Sequence, residues 1–204
     1  ETLDIEYNDL ARAEFDSDGK ITKTADLFFL GGGQNVNQSR NKYGAFFEGE
    51  QELFDSLGLR LAARYEKVDN FSSLDPKISL SYNPMDQITL RISRGTSFTM
   101  PSMAQMYSSD INLGSVRDIE GSIFVRQARI GNPDLKPATS TNSNFGLIYN
   151  SDINRFSIDY WKIDYRDRIE AESSQAILDL DPQGPSITRN ENGELIAVTT
   201  TYFN

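Results

Sequence analysis

The sequence predicts an all-β fold: an antiparallel up-and-down meander with short turns on one rim and long loops on the other, read as an arc of a large transmembrane β-barrel. Three observations predict it. Six segments alternate apolar and polar residues with period two over roughly ten residues, the length a tilted strand needs to cross a bilayer. The connections between them alternate between tight turns and long segments. The polar faces also carry charges in mid-strand, at Glu48, Arg60, Arg64 and Arg91, which suits a water-filled lumen.

Residues 1–39 are polar and turn-rich and are expected to hold loop with one or two short strands, around Leu3–Tyr7 and Lys20–Phe29. From Arg40 the pattern sharpens. Residues 43–53 and 57–67 flank a tight turn, and Leu57, Leu59, Leu61, Ala63 and Tyr65 share one face against Gly58, Arg60, Ala62, Arg64 and Glu66. Residues 76–84 set Ile78, Leu80 and Tyr82 against Lys77, Ser79 and Ser81, and residues 87–93 set Ile88, Leu90 and Ile92 against Thr89, Arg91 and Ser93. Residues 139–149 and 154–166 form another pair, with Phe145, Leu147 and Tyr149 beside Phe156, Ile158 and Tyr160. Short turns fall near 54–56, 84–86 and 150–153, and longer segments at 68–75, 96–138 and after 166. A soluble sandwich shares the alternation, because one face of each of its sheets is also apolar. A self-contained small β-barrel or β-sandwich acting as a surface binding module therefore stays open as the alternative, and it requires the first and last strands to pair.

Composition narrows the function. Among 204 residues the net charge is −10, so no basic face is available for nucleic acid. Cysteine and histidine are absent, which removes disulfides, thiolate metal sites and imidazole catalysis. No constellation suggests an enzyme, and no cofactor is expected. No stretch approaches the ~18 apolar residues of a transmembrane helix, and "ETLDIEYNDL" is not a signal peptide, so an exported protein would have its start elsewhere.

Two blocks punctuate the longest segment. "RISRGTSFTMPSMAQMY" places Phe98, Pro101, Ser102, Gln105 and Tyr107 where a strand ends, and "GNPDLKPATS" places Gly131, Asn132, Pro133, Leu135, Pro137 and Ser140 where the next begins. Prolines cannot donate to a ladder and mark where pairing stops. Gly131-Asn132 permits positive φ for a reversal. In order and spacing these blocks resemble the rim of TonB-dependent outer-membrane receptors, with Ala138 in place of the usual Glu and Thr99 where a basic residue is common. The hairpins of residues 40–84, including Glu48 and Arg64-Tyr65, and the ending "ITRNENGELIAVTTTYFN" are similar to the same family. The resemblance covers residues 40–204 and implies a partial receptor barrel of about six strands plus long extracellular loops. It implies a location in the outer membrane of a Gram-negative bacterium and contact with outer-membrane lipid. It also implies uptake of a small-molecule ligand (a metal–siderophore chelate, cobalamin or a glycan), driven by a TonB-type energising protein that engages a missing N-terminal region. An arc with two free edges is expected to be aggregation-prone alone.

Other residues carry weaker suggestions. Glu48 and Arg64 are expected to face the lumen on adjacent strands and to pair there, or simply to solubilise a wet wall. Arg117, Arg126 and Arg129 lie in the long loop, placed either to attract an anionic ligand or to balance Asp110, Asp118 and Glu120. "DSDGK" (16–20) lacks the ligands of a calcium loop and reads as a polar turn. "LGGG" (30–33) lacks a following helix and reads as a flexible loop. "NENG" (190–193) reads as a hairpin turn, and Asp159, Asp164, Asp167, Glu170 and Glu172 as a solvated acidic run.

Overall fold

The structure, a computed structural model, describes residues 1–16, 20–119 and 121–204. In chain order the elements are β1 (Thr2–Ile5), β2 (Glu14–Phe15), β3 (Ile21–Lys23), a 3-10 turn (Phe28–Leu30), β4 (Gly32–Gly33), β5 (Val36–Ser39), β6 (Lys42–Phe54), β7 (Leu57–Val68), β8 (Phe71–Met85), β9 (Ile88–Thr99), α1 (Met103–Tyr107), β10 (Ser109–Asp118), β11 (Gly121–Ile130), β12 (Ala138–Asn150), β13 (Arg155–Arg166), β14 (Glu170–Ala171), α2 (Ser174–Leu180), β15 (Ile187–Arg189) and β16 (Leu195–Phe203). They divide into two units. One, the sheet unit, comprises Arg40–Met100 and Pro137–Arg168; the other, the loop unit, comprises Glu1–Ser39, Pro101–Lys136 and Ile169–Asn204.

The sheet unit is one antiparallel sheet in the order β13-β12-β9-β8-β7-β6. These are the six strands the alternation predicts. Among the described residues the order does not close, because β6 pairs with β7 alone and β13 with β12 alone. A self-contained barrel would join these two strands. A sandwich would cover one face, yet Phe47, Leu61, Ile92, Phe145 and Ile158 are all exposed. Residues 55–56, 86–87 and 151–154 are short turns, the last closed by Ser151 N donating to Asn154 O at 2.8 Å.

The longer connection expected at 68–75 is instead a two-residue turn, Asp69-Asn70, with Asp69 in the left-handed region at φ 48. Its carboxylate accepts from Asn41 N at 3.1 Å. Strand β8 runs through Pro76 because that residue lies one position outside the β8–β9 ladder, which begins at Lys77↔Gly95, so its missing N–H breaks no bond there. All four passages of the chain out of the sheet unit leave from the rim that holds this turn: the start of β6, the end of β9, the start of β12 and the end of β13.

The loop unit is built where the sequence suggests loops. Of the segment expected at 96–138, residues 96–99 instead complete β9 in the sheet unit, residues 103–107 form α1, and β10 and β11 make a ten-pair hairpin from Ser109↔Ile130 to Asp118↔Gly121. Strand β16 joins β11 in parallel, Arg126↔Ala197 through Ile130↔Thr201, and carries β15 and β14 antiparallel. The apolar positions here are sparse along the chain and cluster only after folding. Val116, Val125, Leu178, Leu195 and Val198 form one core, and Ala13, Ala25, Ile111 and Ala128 another. The "NENG" turn is confirmed, with Gly193 at φ 83 and Gly193 N donating to Asn190 O at 3.0 Å.

Among the described residues, the first 39 positions hold five short strands rather than one or two. The flexible-loop reading of "LGGG" is corrected: Gly32-Gly33 is β4, paired with β10. A Cβ on Gly32 would lie 2.5 Å from Ala11 O, and one on Gly33 would collide with Ser109 O and Tyr7. These glycines serve close backbone approach. The "DSDGK" turn is described only at its ends, where Lys20 N donates to Asp16 Oδ1 at 2.8 Å; Asp18, Gly19 and Glu120 lie outside the described residues.

Candidate functional site

Strand alternation gives the sheet two chemically different faces. One carries Glu48, Glu50, Arg60, Arg64, Glu66, Ser79, Ser81, Arg91, Ser93 and Asp159, which the register sets beside one another. Arg60 lies 2.7 Å from Glu50 and 3.6 Å from Glu48. Arg91 reaches Asp159 at 3.0 Å. A Cβ on Gly146, between those two strands, would fall on the Asp159 carboxylate, so glycine leaves the pair its space. Buried Glu66 accepts from Arg64 and lies 2.8 Å from Lys42.

The expected Glu48–Arg64 pair is not formed. Glu48 stands opposite Ala62, and Arg64 opposite Phe46. Sequence reasoning missed Glu50 and Glu66 as the partners, and it placed Asp159 in a solvated run. The same-parity positions on paired strands would have found them once the register was known. Open depressions lie on this face, one of about 490 Å³ lined by Glu50, Arg60, Arg91 and Asp159, another containing Ser73, Asp75, Ser97 and Ser140.

The opposite face is an apolar belt. Leu59, Leu80, Ile92, Phe145 and Tyr160 form one row across five strands. Toward the rim where the chain leaves the sheet, the belt continues through Leu61, Ala63 and Tyr65 on β7 and through Ile78, Pro76 and Leu74 on β8. On β9, β12 and β13 it ends at once, at Arg94, Ser143 and Lys162. The boundary is level across β7 and β8, steps back by six residues, about 20 Å, between β8 and β9, and is level again across β9, β12 and β13.

The rim motif splits between the units. Within the sheet unit Phe98 pairs with Thr139, one residue into β12, and Pro137 precedes that strand. Within the loop unit Pro101 and Leu135 are buried. Ser102 caps α1 in a reciprocal box: its hydroxyl accepts from Gln105 N at 3.1 Å, and Gln105 Oε1 accepts from Ser102 N at 2.9 Å. Tyr107 ends the helix, and Pro133 follows Asn132 in the returning chain. Gly131 N donates to Ser108 O at 2.7 Å and Asn132 N to Gln105 O at 2.9 Å, so the two blocks, a long loop apart in sequence, are stapled together. Asn132 Nδ2 also donates to Tyr202 O at 2.9 Å. Gly131 does not adopt the positive φ expected of it. Glycine is needed because a Cβ would lie 2.7 Å from the backbone of Met106 and Tyr107.

The three loop arginines lie on β10 and β11. Arg126 sits 5.0 Å over the Phe28 ring and Arg129 5.6 Å over Tyr202. Arg129 also faces Asp110, whose carboxyl is pushed up by burial and drawn down less by that arginine; burial and Asp110 in turn push up the Tyr7 hydroxyl. Arg117 is exposed and lines an open depression of about 400 Å³ with Ser115, Ser122, Gln175 and Asp179. Gln175 clamps its backbone, accepting from Arg117 N at 2.7 Å and donating to Arg117 O at 3.0 Å. Beside this, Arg189 makes two bonds to Asp118, at 2.8 and 3.1 Å, and holds that carboxyl below its ordinary range.

An open antiparallel sheet with an apolar belt on one face and a charged, hydroxyl-rich wall on the other is a segment of a transmembrane β-barrel. The chain belongs to the family of TonB-dependent receptor-like β-barrels, whose model matches residues 2–204. It is similar to the probable TonB-dependent siderophore receptor PirA of Acinetobacter baumannii, with 27% identity over 128 residues, 62% of this chain and 17% of that protein. The crystal structure of the siderophore receptor PirA from Acinetobacter baumannii superposes with a TM-score of 0.58 at 22% identity, covering 81% of this chain and 23% of that one. A mutant of the ferric enterobactin receptor PfeA from Pseudomonas aeruginosa, in complex with enterobactin, gives 0.68 at 19% identity over 100% of this chain and 27% of that one. These likenesses establish the shared barrel fold. The chain spans about a sixth to a quarter of the relatives' lengths.

Proposed function

We propose that this chain is wall and rim of an outer-membrane importer of a Gram-negative bacterium, taking up a metal–siderophore complex with energy from a TonB-type partner that engages parts of the protein outside these residues. The observation that carries the reading is the pair of unlike faces on the sheet, an apolar belt and the Arg60–Glu50 and Arg91–Asp159 ladder; in this reading the belt meets lipid and the ladder lines a wet lumen. Such exposed pairs are screened by solvent and contribute little to stability. Their value is to keep the wall polar and hydrated along the route of a polar cargo. The siderophore class is favoured over cobalamin or glycans by the names of the similar receptors.

At the loop unit, Arg117 is the arginine best placed to meet an anionic chelate, because Arg126 and Arg129 are laid over aromatic rings. The chemistry is transport, with no bond made or broken in the cargo by these residues. The test uses the full-length receptor in a strain lacking its own siderophore receptors, with ferric siderophore as the sole iron source. Growth is expected only with the receptor and an intact TonB system. Growth without TonB, or receptor recovered in the soluble fraction, overturns the reading.

A further inference from the structure

We propose that the wall is split at its long-loop rim into two lips, β6–β7–β8 and β9–β12–β13, which part and zip together as a side gate to the lumen. The gating role rests on the importer reading, whereas the split belongs to the sheet alone.

The split follows from one proline. Strands β7 and β8 meet in a two-residue turn, so the closing pair Val68↔Phe71 exchanges both its main-chain bonds. That ladder continues without a shift in register. Even-numbered residues of β8 therefore turn their N–H and C=O groups toward β9. On that side Ile78↔Arg94 is a bonded pair, and the next would be Pro76↔Thr96. Pro76 has no N–H to give. The β8–β9 ladder stops at Lys77↔Gly95, whereas β7–β8 runs on to Val68↔Phe71 and β9–β12 to Ala138↔Thr99.

Beyond the stop, Leu74 on one lip and Thr96 and Phe98 on the other aim main-chain groups into the seam, where they have no partner among the described residues. The side chains keep the same division. Ser73 donates to Asp75 at 3.0 Å within one lip. Within the other, the Ser97 and Ser140 hydroxyls lie 2.8 Å apart, and Asn142 Nδ2 donates to both at 3.3 Å. The cleft between the lips, about 310 Å³, is lined by Ser73, Asp75, Ser97 and Ser140 of the lumen face and by Thr141 and Asp164 of the outward face, so it passes through the wall. The apolar belt steps back at this same seam. Ladder, cavity and polarity mark one line.

A second state lies within reach. Continued register sets Leu74 against Phe98, and an exchange of their N–H and C=O groups zips the lips. Pro76 isolates that rung from the ladder below, so zipping gains two bonds and no cooperative run of them. Two arrangements that differ by so few bonds make a gate. Parted, the lumen opens sideways to polar solute; zipped, it is closed there.

The experiment uses the full-length receptor. Hydrogen exchange read by mass spectrometry should show residues 72–76 and 96–99 exchanging at least about tenfold faster than residues 78–82, and Pro76→Thr, which restores the donor, should slow them by about tenfold. In continued register Asp75 stands opposite Ser97 in a non-hydrogen-bonded pair, whose Cα separation of about 4.5 Å suits a disulfide. The double variant Asp75→Cys, Ser97→Cys should lose uptake of the growth-supporting ferric siderophore when oxidised and regain it with a reductant, while each single variant imports like the parent. Seam amides as protected as the ladder, or exchange within about twofold of the parent in Pro76→Thr, overturns the split. Equal import by the oxidised and reduced forms overturns the gate, and so do cysteines that never oxidise, because the lips then do not meet. A parent that grows on no ferric siderophore overturns the importer reading instead; exchange still reads the seam, so the two failures are distinguishable.

Discussion

Gly131→Ala tests the staple that joins the two blocks of the rim motif. The new Cβ would lie 2.7 Å from Met106 C and Tyr107 N and 2.8 Å from Met106 O. Ordinary van der Waals contact begins at 3.4 Å, so relief needs a movement of 0.6–0.7 Å from backbone rather than from the free end of a side chain. That backbone resists, because α1 is held by the Ser102–Gln105 capping box and buries Met103 and Met106. Overpacking of this kind costs ~1–3 kcal/mol, and each of the bonds Gly131 N→Ser108 O and Asn132 N→Gln105 O that lengthens adds up to about 1 kcal/mol.

The lower entropy of an unfolded alanine offsets roughly 0.4–1 kcal/mol. A net loss of ~1–3 kcal/mol speeds local opening about 5- to 150-fold. Hydrogen exchange followed by mass spectrometry on the full-length receptor, covering residues 103–136, measures it. Gly58→Ala, whose Cβ meets nothing within 4 Å, is the matched control and should leave exchange unchanged. If Gly131→Ala exchanges within twofold of the parent, close approach is not the reason for glycine here, and the staple is looser than the geometry implies.

Three further outcomes follow from the same geometry. Leu80→Arg, in the belt, should cost ~2–4 kcal/mol in bilayer-embedded receptor by denaturant titration, whereas Ser79→Arg, one residue away on the lumen face, should cost under about 1 kcal/mol; equal costs would mean that the facing is wrong. Arg60→Ala removes the partner of Glu48 and Glu50, all three side chains being more than half exposed, and the thermal unfolding midpoint should stay at that of the parent. For Asp118, whose pKa in the folded state is lowered by Arg189, the stabilisation is present above the ordinary carboxylate value, 3.8, and is lost as pH falls below it through the lowered one. Exchange protection of residues 187–195 should therefore fall in strong acid, and Arg189→Ala should abolish that pH dependence while lowering protection at neutral pH.

Period-two alternation is a local property of the chain, and for that reason all six strands of the sheet and their belt residues were legible without coordinates. The rim blocks were legible as punctuation, since prolines at 101, 133 and 137 mark where ladders stop. Partner choice was not legible. It depends on register between strands, and a shift of two residues separates the expected Glu48–Arg64 pair from the Arg60–Glu50 pair that forms. The tight turn at Asp69-Asn70 was hidden by a Ser-, Asp- and Pro-containing stretch whose proline happens to sit outside one ladder.

The loop unit lay further beyond reach. Its central pairing, β11 with β16, is parallel and joins residues about seventy positions apart, with two strands of the other unit between them in sequence. Its cores assemble from single apolar residues on five or more segments, none periodic enough to announce a strand. The sequence by itself determined the transmembrane sheet, because each strand's two faces meet solvents of opposite polarity and the alternation must be written residue by residue. Only the tertiary structure decided the loop unit and the use of Gly32, Gly33 and Gly131. Those depend on backbones from distant segments approaching within a methyl group's radius, and local composition does not encode that distance.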